Sequence, residues 1–299
     1  MRSFRDRLAA GGVLVGDGAM GTLLLERVLG PGEPPESVTR DHPEILADIA
    51  ARYVAAGAEI VETNTFGASP IKLALAGLDR DVGVLNRDAV RIARDAAGGR
   101  AYVAASVGPC GGLLEPYGDM AADTVYRSFR EQLHHLFTAG IDAVFVETMI
   151  DLTEATLAVR AAKDLGSGIP VAAMMTFDPT PRGFHTVMGV SVSRAAADLA
   201  EAGADLVGSN CGNGIEQMVE IAREFRRHTD LPLVIQPNAG MPKARAGRTV
   251  YDESPGQFAA GARELAAIGV SVIGGCCGTT PEHIEAVVAS LNGPPTPRA

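Results

Sequence analysis

Residues 123–148 read DTVYRSFREQLHHLFTAGIDAVFVET. Val125, Phe129, Leu133, Leu136 and Phe137 recur every three or four residues, the period of one buried helix face, so the spacing predicts a helix over 123–139. Gly140 follows, and glycine can end a helix in the left-handed conformation without steric cost. The chain then changes to Ala143-Val144-Phe145-Val146, apolar at every position, as a strand covered on both faces should be. That strand ends on the carboxylate of Glu147. A helix, a glycine cap and a buried strand in this order are the repeating part of a parallel α/β fold.

The same pattern extends in both directions. Ala56-Gly57-Ala58-Glu59, Ala139-Gly140-Ile141-Asp142 and Ala202-Gly203-Ala204-Asp205 each precede an apolar run. Strands are predicted at 13–16, 59–63, 102–107, 143–147, 170–176, 205–209, 232–236 and 271–274. Helix starts agree: Ser254-Pro255-Gly256-Gln257 offers an N-cap, a first-turn Pro and a capping-box Gln, and Thr280-Pro281 and His42-Pro43 repeat the Pro signal. Eight βα units use nearly all of the 299 residues. They predict an α/β fold, a single-domain (β/α)8 TIM barrel over 1–292 with a Pro-rich tail at 293–299, and a doubly wound open sheet as the alternative. The only other interruption is a Pro/Gly-containing loop at 30–36.

Composition fits a large buried core, with 46% hydrophobic and 21% charged residues. A net charge of −10 argues against nucleic acid or anionic lipid as partner. No apolar run approaches the ~20 residues of a membrane span, and no leader is evident in MRSFRDRLAAGG, so a soluble cytoplasmic protein is expected. Trp is absent, so a cage for a cationic ligand would have to be built from Tyr and Phe.

In a barrel of this kind the chemistry lies just beyond the strand C-termini, and the unusual residues cluster there. They include Asp17 to the run Gly18-Ala19-Met20, Glu62-Thr63-Asn64-Thr65-Phe66, Glu147-Thr148, Asn210-Cys211 and Gly274-Gly275-Cys276-Cys277-Gly278. Cys211, Cys276 and Cys277 could meet at one mouth as three thiolate ligands for zinc, leaving an open fourth position of the catalytic type. The alternative is three small buried thiols beside glycine turns. Cys110 is read as a bystander, with a fourth-ligand role as the alternative. Asp17 and Glu147 end apolar strands, and two carboxylates there could hold an ammonium, while the N–H groups of the glycine-rich run could take a carboxylate. Asp17 as a turn cap and Glu147 as an Arg partner form the plainer reading. Residues 16–21 are not read as a dinucleotide loop, because G-x-G-x-x-G is missing and no helix is expected to start promptly after them.

Taken together, Asp17-Gly18-Ala19-Met20-Gly21-Thr22, Glu62-Thr63-Asn64-Thr65-Phe66, Val146-Glu147-Thr148, Asn210-Cys211, Pro237-Asn238-Ala239-Gly240 and Gly274-Gly275-Cys276-Cys277-Gly278-Thr279-Thr280-Pro281-Glu282-His283 resemble the zinc-dependent homocysteine S-methyltransferase family. Within it they look most like the homocysteine-binding domains of cobalamin-dependent methionine synthases. The resemblance runs from residue 13 to about residue 290. It implies Zn²⁺ on Cys211, Cys276 and Cys277, and L-homocysteine with its ammonium on Asp17 and Glu147 and its carboxylate on the N–H groups of Gly18, Ala19 and Met20. Asn210 would orient the neighbouring ligand loop.

The resemblance further implies methionine formation, with methylcobalamin on a separate corrinoid protein as the expected donor, since folate, cobalamin and reactivation domains do not fit in 299 residues. S-methylmethionine or betaine as donor, one piece of a split enzyme, or a non-catalytic zinc/thiol-binding subunit of a methyltransferase complex are the alternatives. Gly278 agrees with methionine synthases, where plant-type sulfonium-dependent members resemble one another in having Arg. The sequence departs from the family after Asp178, at Pro179-Thr180-Pro181-Arg182-Gly183-Phe184-His185-Thr186-Val187-Met188-Gly189. Phe184 and Met188 could shape a donor pocket and His185 could titrate there, or the stretch is a surface turn.

Overall fold

Alternation along each strand sorts its side chains into two cores, and a closed sheet gives those cores different geometries. The computed structural model describes residues 1–30, 32–166, 168–245 and 248–293. Its main sheet contains β1 (Leu14–Val15), β2 (Ile60–Glu62), β3 (Tyr102–Val107), β4 (Ala143–Met149), β5 (Val171–Met175), β6 (Leu206–Asn210), β7 (Leu233–Gln236) and β8 (Val270–Ile273). Neighbours pair in parallel in chain order, β8 returns to β1, and the ring closes between β1 and β2 through a Gly16–Ile60 bridge and the Glu59 N–H bonded to the Val15 carbonyl at 2.7 Å. Closure rules out the open doubly wound sheet. Eight helices, α1 (Pro43–Ala55), α2 (Val82–Ala97), α3 (Ala122–Ala139), α4 (Leu152–Asp164), α5 (Val192–Glu201), α6 (Ile215–His228), α7 (Pro255–Ile268) and α8 (Pro281–Asn292), each follow one strand. No described helix is long and apolar enough to cross a membrane.

The bore is filled by Leu14, Ile60, Ala104, Phe145, Met174, Leu206, Val234 and Val272, all buried. Their neighbours of opposite parity, among them Val15, Val61, Val103, Val144, Ala173, Val207, Ile235 and Ile273, pack outward under the helices. Phe4, on a short helix Phe4–Ala9 capped by Ser3, joins the bore cluster from the strand N-terminal end, edge-on to Tyr102 at 5.4 Å. Gly208 is required where β6 and β7 meet, since a Cβ there would lie 1.7 Å from the Val234 carbonyl oxygen.

Helix ends follow the expected chemistry. Gly57, Gly140 and Gly203 all have positive φ after their helices. Ser254 and Gln257 form the capping box of α7, and in α8 His283 takes the reciprocal role with Thr280. His42 gives α1 no side-chain cap, so only the Pro43 signal holds there. Three features differ from the sequence reading. A helix, Gly21–Arg27, does begin promptly, at the last residue of 16–21, because Leu23, Leu24 and Leu25 are strong helix formers and Leu23 and Leu24 are buried. Residues 178–189 contain a hairpin, Asp178–Thr180 against Gly183–His185, turned at the left-handed Gly183. A second unexpected hairpin, Lys243–Arg245 with Arg248–Val250, follows β7. Residues 294–299 of the Pro-rich tail, and position 31 within the 30–36 loop, lie outside the described residues.

Replacing a buried Phe by Ala costs about 3–5 kcal/mol in a core that cannot collapse around the gap. Phe4→Ala is therefore expected to lower the urea midpoint of unfolding clearly, while the cysteines at the opposite end of the bore keep their reactivity in the folded protein.

Candidate metal and substrate site

Following the bore parity to the strand C-termini replaces apolar side chains by polar ones. Ile60 is followed by Glu62, Ala104 by Ser106, Phe145 by Glu147, and Val234 by Gln236, while on β6 the series runs Leu206, Gly208, Asn210. These residues make a polar layer above the apolar fill. Above it the loops after β1, β2, β6 and β8 surround a cavity of about 570 Å³.

Three thiols enter this cavity. Cys211 follows β6 directly with φ 59°, and its N–H donates to the Gln236 carbonyl at 3.1 Å. Gly274 and Gly275 carry the chain out of β8 to the cysteine pair, where the Cys276 N–H donates to the Pro237 carbonyl at 2.7 Å and the Cys277 carbonyl accepts from the Ala239 N–H at 3.0 Å. Cys211 Sγ lies 3.9 Å from Cys277 Sγ, and Cys276 Sγ 4.0 Å from Cys277 Sγ. All three sulfurs fall within 4.8 Å of one another. Ligands about 2.3 Å from a tetrahedral zinc are about 3.8 Å apart, so the backbone already holds the thiols at nearly the spacing of one face of a zinc tetrahedron. Hydrogen bonds from Cys211 and Cys276 pull the Cys277 thiol down to about 3. Cys276 is pushed up by its bonds to the other two thiols and by burial.

Cys110 is elsewhere. It is buried, its sulfur is 3.9 Å from Ser69 Oγ, its N–H donates to Glu154 Oε1 at 2.7 Å, and burial pushes its thiol up to about 12. It takes no part in the cluster.

The same cavity holds three carboxyls. Asp17 is 2% exposed; its Oδ2 accepts from the Glu62 N–H at 2.9 Å, and burial, with the charge of Glu147 adding to it, raises it to about 7. Glu147 accepts from the Ser106 hydroxyl at Oε1 and from Asn210 Nδ2 at Oε2, 2.9 Å, and burial raises it above the usual carboxylate range. Glu62, to which its motif alone assigns no role, accepts from Gln236 Nε2 at 2.5 Å. Its parity with Ile60 was the available signal. Among the described residues no Lys, Arg or His lies within ion-pair reach of any of the three, so the reading of Glu147 as an Arg partner does not hold.

Gly18, Ala19 and Met20 line the cavity. A Cβ on Gly18 would meet Thr279 Oγ1 at 2.6 Å and Tyr53 Oη at 2.8 Å. The Ala19 N–H already donates to Thr279 Oγ1 at 3.0 Å, which takes one of the three expected carboxylate donors out of play and leaves those of Gly18 and Met20. Asn210 is fully buried behind the cavity wall: Nδ2 reaches Glu147 and Thr148 Oγ1, and Oδ1 accepts from the Thr148 N–H at 2.7 Å. Thr148 has φ 58°, so the Asn210 side chain clamps a left-handed turn beside Glu147. Tyr251, on no recognisable motif, packs its ring where a Cβ on the left-handed Gly278 would stand, with its hydroxyl beside Cys277. Phe184, His185 and Met188 do not line this cavity; Met188 belongs to a separate surface groove with Tyr117 and Arg194.

A model of the family described as homocysteine S-methyltransferase matches residues 14–291. The methionine synthase of Mycobacterium leprae is 35% identical over 296 residues, covering 93% of this chain and 24% of that protein; that of Mycobacterium tuberculosis is 34% identical with the same coverage. The chain thus spans about a quarter of the length of these relatives. Among solved structures, the metallated form of the homocysteine methyltransferase MmuM from Escherichia coli superposes with a TM-score of 0.80 at 26% identity, over 95% of this chain and 98% of that one.

The thiol arrangement makes a direct prediction for metal-free protein. Cys277, lowered to about 3, is a thiolate throughout the neutral range, whereas Cys110, raised to about 12, stays protonated and buried. Iodoacetamide at about pH 6 is expected to label Cys277 and spare Cys110, as read by peptide mass spectrometry. Equal labelling of the two would contradict the geometry.

Proposed function

The chain belongs to the homocysteine S-methyltransferase family, and from that premise we propose that it methylates L-homocysteine to methionine, with zinc held by Cys211, Cys276 and Cys277. The observation that carries this reading is a cavity in which three thiols at tetrahedral spacing face two carboxylates, Asp17 and Glu147, that have no cationic partner among the described residues. Bound at the three thiols, zinc would supply Lewis acidity that keeps the substrate thiol deprotonated at neutral pH.

The remaining work belongs to the chain. Asp17 and Glu147 bind the α-ammonium and take up the charge that burial left uncompensated. The N–H groups of Gly18 and Met20 bind the α-carboxylate, so the substrate side chain is directed at the cysteines. Ser106 and Asn210 hold Glu147 in its acceptor orientation. The substrate sulfur attacks the donor methyl carbon, a carbon–sulfur bond forms, and the donor keeps the electron pair of the bond that breaks. The donor we propose is methylcobalamin carried by a separate corrinoid protein or domain, a reading supported by relatives named methionine synthase that extend well beyond this chain.

Two outcomes are expected. Purified protein binds one zinc per chain, Cys276→Ala loses both tight zinc binding and methyl transfer, and Cys110→Ala loses neither. When zinc-loaded protein and homocysteine are offered methylcobalamin with a corrinoid protein, S-methylmethionine and betaine in turn, methionine forms with the corrinoid donor. Formation with only a small onium donor would replace the corrinoid part of the reading, and formation with none would reject catalysis in favour of a zinc/thiol-binding subunit.

Ammonium binding needs an ionised Asp17, raised to about 7 in the free protein, so protonation below that pH opposes binding. The KM for homocysteine is expected to rise as pH falls from about 8 to about 6. Asp17→Asn should raise KM about ten-fold or more at pH 8, the scale of one charge-assisted hydrogen bond.

A further inference from the structure

We propose that Glu62 works as a neutral carboxylic acid that donates a hydrogen bond to Glu147, setting that carboxylate in place for the substrate ammonium; the ammonium part rests on the function proposed above. Glu62 stands at the end of β2 in the same bore layer as Glu147, Ser106 and Gln236. It is tied to both ammonium-binding groups: its backbone N–H fixes Asp17 Oδ2 at 2.9 Å, and its carboxyl bonds to that of Glu147.

The hydrogen-bond pattern assigns the proton. Gln236 Nε2 donates to Glu62 Oε1, which makes Oε1 an acceptor, and the carboxyl also meets that of Glu147. Glu147 already accepts at both oxygens, from the Ser106 hydroxyl and from Asn210 Nδ2, which suits the ionised form. Two carboxyls can share a hydrogen bond only if one of them holds a proton, and Glu147 has no spare role as donor.

Charge points the same way. The groups facing Glu62 are Asp17 from the end of β1 and Glu147 from β4, both acidic, and Gln236 from β7, which is neutral. Among the described residues no basic side chain reaches it. One substrate ammonium can balance part of two anions, and a third anion in that layer would have no partner, so retaining one proton is the cheaper state. Burial and the two neighbouring acids push Glu62 well above the usual carboxylate range. The acid thus acts as a positioning residue for Glu147.

The neutral-donor role separates two substitutions that an anionic role would not. Gln keeps a donor and an acceptor at nearly the same positions, whereas Met keeps only the length. By calorimetry on zinc-loaded protein, Glu62→Gln is expected to bind homocysteine within about three-fold of wild type, and Glu62→Met about ten-fold or more weaker, with KM changed more than kcat. A second readout needs no substrate: because Asp17 also titrates at about 7, the comparison is made in an Asp17→Asn background, where the infrared carbonyl band of protonated carboxylic acid at neutral pH should lose intensity when Glu62→Gln is added.

Loss of binding in both variants would overturn the proposal, because it marks an anionic ligand. Full binding in both would overturn it too, as would an acid band left unchanged by Glu62→Gln. The Gln comparison stands whether or not Glu62→Met folds. Protein whose acid band depends on Glu62 but which binds no homocysteine would support the protonated Glu62 and reject the substrate reading.

Discussion

A strand alternates its side chains between two faces, and in a closed barrel one face has only the bore to occupy. The carboxyl layer of the site follows from that constraint. Apolar residues fill the bore up to Ile60, Ala104, Phe145 and Val234, and the next residue of the same parity on each strand must then share one small layer. Here that layer contains Glu62, Ser106, Glu147 and Gln236, with Asn210 from β6. Carboxyls in such a layer are not solvated freely, nor are they paired to cations among the described residues, so their desolvation is a standing cost of several kcal/mol per charge unless protons or a ligand reduce it. On the function proposed above, a site built in this way would select a cation small enough to enter the mouth of the bore.

The thiols are held by a different device. Cys211 and the Cys276-Cys277 pair do not point up from strands; they ride on tight turns whose backbone groups bond across to the ends of β7 and its loop, at Gln236, Pro237 and Ala239. The left-handed conformations at Cys211 and Thr148 are costly for non-glycine residues and persist where the surroundings hold them. The Asn210 side chain, spanning Thr148, Glu147 and the neighbourhood of Cys276, supplies much of that restraint. One buried amide therefore links the carboxylate layer to the turn at Thr148 and reaches the neighbourhood of Cys276.

Much of this was legible in the sequence because it rests on local patterns. The strand at 102–107 and the helix at 123–139 follow from apolar spacing, and the capped ends at Gly57, Gly140 and Gly203 from glycine alone. Asp17, Glu147 and the three cysteines were legible because they interrupt apolar text at strand ends. What escaped depended on contacts distant in the chain. Tyr251 matters through Gly278 and Cys277, and the N–H of Ala19 is taken by Thr279, 260 residues away. The hairpins were missed for another reason: three-residue strands at the surface carry no buried face, so 178–185 offers no alternation to read. Glu62 lay between these cases, its parity visible but its role dependent on Glu147.

The charge arrangement also bears on the donor. In the proposed complex, three thiolates outweigh a divalent metal by one negative charge, and Asp17 and Glu147 add two more against a single substrate ammonium, with Glu62 neutral. The substrate carboxylate and sulfur make the cavity more negative still. A methyl group attached to an electron-poor centre, whether a cobalt(III) ion or an onium atom, approaches such a cavity down its potential, and the departing carrier leaves with one positive charge fewer. An uncharged methyl donor gains nothing from this field and must be activated elsewhere. On that proposal, the acids that would recognise the ammonium would also favour donors in which the methyl carbon is already electrophilic. That preference arises from burial in the bore layer, where solvent screening is weak, and it would fade for the same charges placed on an exposed surface.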